Sequence, residues 1–301
     1  MFKFPEGINE HDFIANYWQH KPLLFGQALT DCQSIISVTE LLELATHEEV
    51  ESRLIVEQSH HDYEVHDGPV TAQQLEQLAN KKNWTILVQS VNLWSESVAS
   101  LVNTINFIPN WRYDDIMISY STTNGGVGPH TDHYDVFLLQ ISGSRRWRVG
   151  EKNQYREKPI SSSGLKLIEP FTATSEHVLE VGDMLYVPPE TPHEGISISN
   201  GMTLSIGFRS PSLTEFSMML GEQFIANNSH YSDPCETELA HVAEISHSAM
   251  AQAKQWYIAS LDDHTCYSAF GKLQTQPKQD LLLLPIDEPV MALINQGKTL
   301  Y

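Results

Sequence analysis

Gly128-Pro129-His130-Thr131-Asp132, taken with Pro188-Pro189-Glu190-Thr191-Pro192-His193, is the stretch around which the rest of the chain is read. On a β-strand, residues i and i+2 point the same way, so His130 and Asp132 can share one ion while Thr131 faces away. Two imidazoles and one carboxylate are the donor set of the facial triad that holds non-haem iron(II). Three protein donors leave about three of six octahedral positions open, enough to chelate a 2-oxo acid and admit dioxygen. A lone His-x-Asp arises by chance in a chain with 14 histidines. The weight rests on the setting: a glycine-rich turn before the pair, a strand after it, and a proline-bounded His193 leading into another strand.

Outward from that stretch the chain reads as short strands at 115–121, 134–141, 145–149, 177–181, 184–187, 195–199 and 202–209. Asn124-Gly125-Gly126, Ser142-Gly143-Ser144, Gly182-Asp183 and Asn200-Gly201 punctuate them. Strands this frequent predict a double-sheet jelly roll, a double-stranded β-helix of the cupin kind. The fold class is mainly β with α additions, followed by a helical region. Residues 1–95 read as a mixed α/β elaboration of the barrel. Helices are expected at 9–17, 39–45 (capped by Ser37 or Thr39) and 71–81, and strands at 53–56, 63–65 and 84–91. A helix over 92–107 leads into the catalytic core, 96–212. Apolar spacing predicts helices at 213–227, 236–257 and 260–270, within a helical region at 213–273. Met218, Met219, Leu220 and Phe224 form its apolar stripe, explained by packing or by a subunit interface. Residues 274–301 read as a polar linker (274–279) and a short helix (289–298) ending at Gly297.

With 41% hydrophobic and 19% charged residues, 301 residues can bury a sizeable core. The formal net charge is −20, from 38 acidic against 18 basic residues. Such a surface repels phosphate and argues against sequence-independent nucleic-acid binding; it suits a basic partner, or merely keeps the protein soluble. Cys32, Cys235 and Cys266 are odd in number and lack any C-x-x-C. They fit free thiols in a reducing compartment. The start, Met1 to Gly7, lacks a secretory h-region, and the longest aliphatic run, Leu281 to Leu284, is too short for a bilayer. A cytoplasmic protein that does not associate with membranes is expected.

A 2-oxo acid supplies two electrons by decarboxylating, and its far carboxylate needs a cation inside the barrel, ideally arginine for its paired donors. Gly143-Ser144-Arg145-Arg146-Trp147-Arg148-Val149 offers three. Alternation puts Arg145 and Trp147 on one face, and Trp147 is core-seeking, so Arg145 is the one to point inward. The alternative is that all three pair with surface carboxylates. Ser119, in Met117-Ile118-Ser119-Tyr120-Ser121, can offer its hydroxyl to the same carboxylate, or act simply as a bonded barrel serine. Tyr134, Asp135 and Asp114 or Asp115 fall near the expected mouth, where they would hold a cationic substrate or merely end strands. His133 faces away and reads as structural. His60 and His61 read as an exposed turn.

These motifs, with Tyr134-Asp135-Val136-Phe137, Arg146-Trp147-Arg148-Val149-Gly150-Glu151-Lys152, Gly182-Asp183-Met184-Leu185-Tyr186-Val187, Ser205-Ile206-Gly207-Phe208-Arg209 and Tyr231-Ser232-Asp233-Pro234, resemble the bacterial JmjC-type ribosomal oxygenases over most of residues 10–235. The resemblance implies His130, Asp132 and His193 as iron(II) ligands, Arg145 as the 2-oxoglutarate carboxylate partner, and Ser119 as its helper. It implies hydroxylation of an arginine in a basic large-subunit ribosomal protein, a helical dimerisation region giving a homodimer, and a winged-helix-like C-terminal domain of which only the first helix is present. Two rivals stand beside it. One is an N-methyl-lysine demethylase, which would release formaldehyde. The other is a metal-binding cupin without redox chemistry, which would not turn over 2-oxoglutarate. A zinc hydrolase would want a general base beside the metal, and none is evident.

Overall fold

A computed structural model describes residues 2–59, 62–152, 154–156, 164–225, 230–232 and 245–276. It divides into two compact units, Met1–Ser210 and Pro211–Tyr301. The first holds eleven strands among its described residues: β1 (Leu23–Phe25), β2 (Ser52–Ser59), β3 (Asp62–Asp67), β4 (Trp84–Val88), β5 (Tyr113–Ser121), β6 (Val136–Ser142), β7 (Arg145–Gly150), β8 (Ala173–Leu179), β9 (Met184–Val187), β10 (His193–Ser197) and β11 (Gly201–Phe208). They form an eight-stranded sheet in the order β1-β9-β6-β11-β5-β4-β2-β3 and a three-stranded sheet in the order β10-β7-β8. All the pairings are antiparallel. This is the double-sheet architecture expected of the sequence, with the N-terminal strands β2–β4 joined to the barrel sheet through β5.

The middle strands of the large sheet, β6, β9 and β11, are buried on both faces, and period-two alternation gives each face its own chemistry. Along β5, Ile116 and Ile118 enter the main core while Ser119 and Ser121 are buried on the opposite side. Along β11, Met202, Leu204, Ile206 and Phe208 join that core, and Thr203 and Ser205 face the other way. The hydrocarbon face is covered by residues before β5. Helix α1 (Glu10–Asn16), started by an Asn9–Asp12 capping box, presses Phe13 against Phe25, Phe137 and Tyr186 at ring distances of 5.7, 5.8 and 5.0 Å. Helices α2 (Val38–Leu44) and α3 (Ala72–Leu78) are capped by Ser37 and Thr71, each reciprocated three residues on. On the other face, Val136, Leu138, Leu185 and Val187 meet Trp147, Val149 and Leu179 of the small sheet, which closes one part of the barrel.

Several boundaries differ from expectation. The strand from Trp84 stops at Val88 because Ser90 takes a left-handed φ of 51°. The helix expected over 92–107 is broken into a 3₁₀ turn at Val91–Leu93, a short α4 (Glu96–Ala99) and a 3₁₀ stretch at Ser100–Ile105. The hydroxyls of Ser100 and Thr104 bond the carbonyls of Ser97 and Leu101, at 2.8 and 2.6 Å, and compete with helical bonding. The expected helix at 289–298, the first part of that at 236–257, and Cys235, His60 and His61 lie outside the described residues.

In the second unit, α5 (Leu213–Phe224), α6 (His247–Ala259) and α7 (Asp263–Thr275) are described. Met219 and Leu220 of α5 bury against Ala269 of α7, with Phe216 and Phe224 partly buried beside them. Met218 stands 68% exposed, so the expected stripe is split between packing and solvent. Helix α7 runs to Thr275, through the start of the stretch expected to be a linker.

Candidate active site

His130 and Asp132 were expected to share a strand, and they do not. His130 makes a single antiparallel bridge to His193, and residues 131–135 loop from it into β6. The pairing is nevertheless tight. His130 N–H donates to the His193 carbonyl at 3.0 Å, and His193 N–H returns to the His130 carbonyl at 2.9 Å. That exchange brings residues far apart in sequence side by side, with ring centroids 4.3 Å apart. Asp132 is brought in by the loop, its carbonyl accepting the Glu190 N–H at 2.7 Å. The His193 Nε2 lies 3.5 Å and the His130 Nε2 4.0 Å from Asp132 Oδ2. One ligand atom of each of the three residues falls within 4.8 Å of the others.

The backbone also sets the tautomers. His130 Nδ1 lies 2.9 Å from the Gly128 carbonyl, and His193 Nδ1 lies 2.9 Å from the Thr191 carbonyl. A carbonyl only accepts, so both Nδ1 atoms carry a proton, and it is Nε2 of each ring that is turned to Asp132 and free to give a lone pair to a metal. Burial, aided by the neighbouring His193, pushes His130 below the usual histidine range and favours the neutral form that ligates. Burial alone would raise the Asp132 carboxyl, but imidazoles that carry a proton on Nε2, His193 first, outweigh it and the net direction is down; a metal ion at the same atoms would take over that stabilising charge.

This cluster lines a cavity of about 340 Å³ that also holds Arg145, Ser119 and Thr203. Arg145 is 3% exposed, and among the described residues its guanidinium bonds only neutral oxygens and lies over the Trp147 ring at 4.9 Å. Nη1 donates to Ser119, Ser121 and Thr203 hydroxyls at 3.2, 3.4 and 3.4 Å, and Nη2 to the Gly195 carbonyl at 3.1 Å. Its Nε has no partner among the described residues. Burial lowers its pKa to about 10, still well above neutrality, so the barrel encloses a cation without a carboxylate partner among those residues. The neighbouring arginines differ: Arg146 pairs with Glu176 at 3.5 Å and Arg148 with Glu194 at 2.8 Å. Three donors with converging lone pairs fit a divalent ion, and a buried guanidinium with unused bonding capacity fits the far carboxylate of a dicarboxylate.

Gly195 explains how Arg145 reaches inward. A Cβ there would lie 2.6 Å from Arg145 Nε and 2.8 Å from the Trp147 ring. Gly195→Ala is therefore expected to displace the guanidinium and raise the 2-oxoglutarate KM by about tenfold, the equivalent of one weakened charge-assisted bond. Steady-state kinetics on a variant with wild-type circular dichroism checks this.

Of the residues assigned to substrate, Tyr134 lines the cavity. Asp115 accepts from Ser90 at 3.2 Å. Asp135 is not brought to the site. It is fully buried and turned into a knot with Tyr186, Gln19 and Arg112. His133, expected to be structural, contacts Glu190 on the surface. Ser121, Thr203 and Gly195 were missed as Arg145 partners, although the alternation of small polar residues in β5 and β11 marks the face they occupy.

A double-sheet barrel with His-x-Asp and a distant histidine around one cavity, and a buried arginine beside them, defines a JmjC-type oxygenase domain. The JmjC domain family model matches residues 100–216. The ribosomal protein uL16 3-hydroxylase of Escherichia coli K12 is 35% identical over 305 residues, covering 97% of this chain and 80% of that protein. A probable ribosomal oxygenase of Haemophilus influenzae is 35% identical over 214 residues, 71% of this chain and 52% of that protein. A structure of YcfD, a ribosomal oxygenase from Escherichia coli, in complex with cobalt and 2-oxoglutarate, matches with a TM-score of 0.82 and 33% identity over 98% of this chain and 80% of that one. The chain belongs to this family of JmjC-type ribosomal oxygenases.

Proposed function

We propose that this protein is an iron(II)- and 2-oxoglutarate-dependent hydroxylase of an arginine side chain in a large-subunit ribosomal protein. The observation that carries the reading is the enclosure, in one cavity, of the His130–Asp132–His193 cluster and a buried cation with no anionic partner among the described residues. The relatives support it: one is named for hydroxylating uL16, and another holds cobalt and 2-oxoglutarate.

In this reading His130 and His193 give their Nε2 lone pairs and Asp132 its charge to the metal. Arg145, helped by Ser119, binds the far carboxylate of 2-oxoglutarate and so fixes which end of the molecule faces the triad. With dioxygen, iron(II) and 2-oxoglutarate supply the oxidant: decarboxylation yields succinate and carbon dioxide, one oxygen atom enters succinate, and the other enters a substrate C–H bond. The chain's part is orientation and dryness. Trp147, Leu138 and Val136 wall the cavity with hydrocarbon. Tyr134 and Asp115 would receive the cationic substrate side chain. No side chain need act as acid or base at the C–H bond. The net charge of −20 suits a basic substrate.

The same reading makes residues 213–273 a dimerisation region, assigns the protein to the cytoplasm, and includes no direct contact with nucleic acid or membrane. Among the described residues no helix is long and apolar enough to cross a membrane. The test is mass spectrometry of ribosomal-protein peptides incubated with the protein, iron(II) and 2-oxoglutarate. An arginine should gain about 16 Da, one oxygen atom, with matching succinate. Absence of a shift on every ribosomal peptide would remove the substrate, and formaldehyde from methylated lysine peptides would favour demethylation.

A further inference from the structure

Asp132 sits in a loop, and a loop ligand keeps its place only if both ends of the loop are held. His130 is the front anchor, through its bridge to His193. The back anchor is Asp135, the last residue before β6. We infer that Asp135 is a positioning residue, which sets where the Asp132 carboxylate stands; this rests on the reading of His130, Asp132 and His193 as metal ligands.

Asp135 is 0% exposed, and both of its carboxylate oxygens are engaged. Oδ1 accepts the Tyr186 hydroxyl at 2.5 Å. Oδ2 accepts the Gln19 side-chain amide at 3.1 Å and the Arg112 guanidinium at 3.2 Å. Its own carbonyl accepts the Phe208 N–H at 3.1 Å, so the end of β11 also holds it. The partners are themselves fixed. Tyr186 accepts the Gln19 backbone N–H at 2.6 Å, and Arg112 lies over the Trp18 and Trp111 rings at 5.8 and 5.6 Å. Three separate segments thus converge on one carboxylate three residues from Asp132, and a fourth holds the backbone of the same residue. Burial, reinforced by Asp135, keeps the Tyr186 hydroxyl protonated and therefore donating. Between the anchors the loop is tied only to Glu190 among the described residues, by the Asp132 carbonyl on its N–H and by the exposed His133 against its carboxylate. Groups bonded directly to a metal ligand govern metal affinity by about ten- to a hundredfold, and an anchor acting through the loop belongs at the lower end of that range.

Cobalt(II) titration of the metal-free protein, followed by its visible absorption, tests the inference without catalysis. Asp135→Asn and Tyr186→Phe should each weaken cobalt binding about tenfold and alter the band intensities that report ligand geometry. Ile86→Val, a fully buried core change in β4 that lowers stability, should leave both unchanged. Should Asp135→Asn fail to fold, Tyr186→Phe, which keeps the Arg112–Asp135 charge pair, decides alone. Wild-type affinity in the folded variants, or an equal loss in Ile86→Val, overturns the positioning role while the ligand assignment stands. A wild-type protein that takes up no cobalt, with a spectrum matching Asp132→Ala, overturns the ligand assignment and this inference with it.

Discussion

Asp132→Ala will lower 2-oxoglutarate turnover by well over about a hundredfold, since removing even a supporting partner of a metal site costs that much. The reason is charge. With Nδ1 of His130 and of His193 engaged by the carbonyls of Gly128 and Thr191, each imidazole can ligate only through Nε2 and brings no negative charge, so Asp132 is the one anionic donor of the three. Without it nothing in the cluster offsets a dication, and two imidazoles alone leave the coordination sphere to water. The fold should not pay for the change. Asp132 is 23% exposed, lies outside the strands and, among the described residues, pairs through its side chain only within the cluster. Cobalt titration and circular dichroism on the same sample separate the outcomes: lost binding with a retained spectrum is expected. Turnover near the wild-type level would mean that Asp132 is not a ligand.

Arg145→Gln carries the second largest effect, and its two consequences have opposite signs. Losing a charge-assisted pair of bonds to the co-substrate carboxylate costs about 1.5–3 kcal/mol, which raises the 2-oxoglutarate KM by roughly ten- to a hundredfold. The protein without co-substrate should become no less stable, because among the described residues Arg145 is a buried cation whose bonds go to hydroxyls and a carbonyl, with only the Trp147 ring at 4.9 Å to offset its charge. Removing an uncompensated buried charge relieves its desolvation cost, and glutamine can still bond the same oxygens. Arg145→Lys keeps the charge but loses the paired geometry, so it should fall between the two. Thermal melts with and without 2-oxoglutarate, alongside kinetics, check both signs. A large fall in the melting temperature of the unliganded variant would show that Arg145 is structural.

The fold was readable because its signals are local. Gly182-Asp183 and Asn200-Gly201 mark turns whatever lies elsewhere, and strand β9 falls where its apolar run ends, at Met184–Val187. Arg145 was readable for the same reason, since its neighbour Trp147 decides which face turns inward. Asp135 was not. Next to Asp132 and Tyr134 it has the look of a mouth residue, and only the long-range arrival of Gln19, Arg112 and Tyr186 makes it a buried anchor. The loop between His130 and β6 escaped for a related reason. A two-residue spacing suggests a strand, yet the bridge to His193 that replaces it is set by residues far along the chain. The broken helix at 92–107 shows the reverse case, where Ser100 and Thr104 overrule an apolar pattern with bonds of their own.

The two-sided character of β5 and β11 has a consequence for how this molecule can change. Positions 116, 118, 204 and 206 answer to the hydrocarbon packed beneath them, whereas 117, 119, 203 and 205 answer to whatever occupies the barrel. One strand thus carries two independent sets of instructions, interleaved residue by residue. A library confined to the second set can redirect which molecules are accepted while the scaffold beneath is left alone, and drift in the first set can retune thermal endurance without touching selectivity.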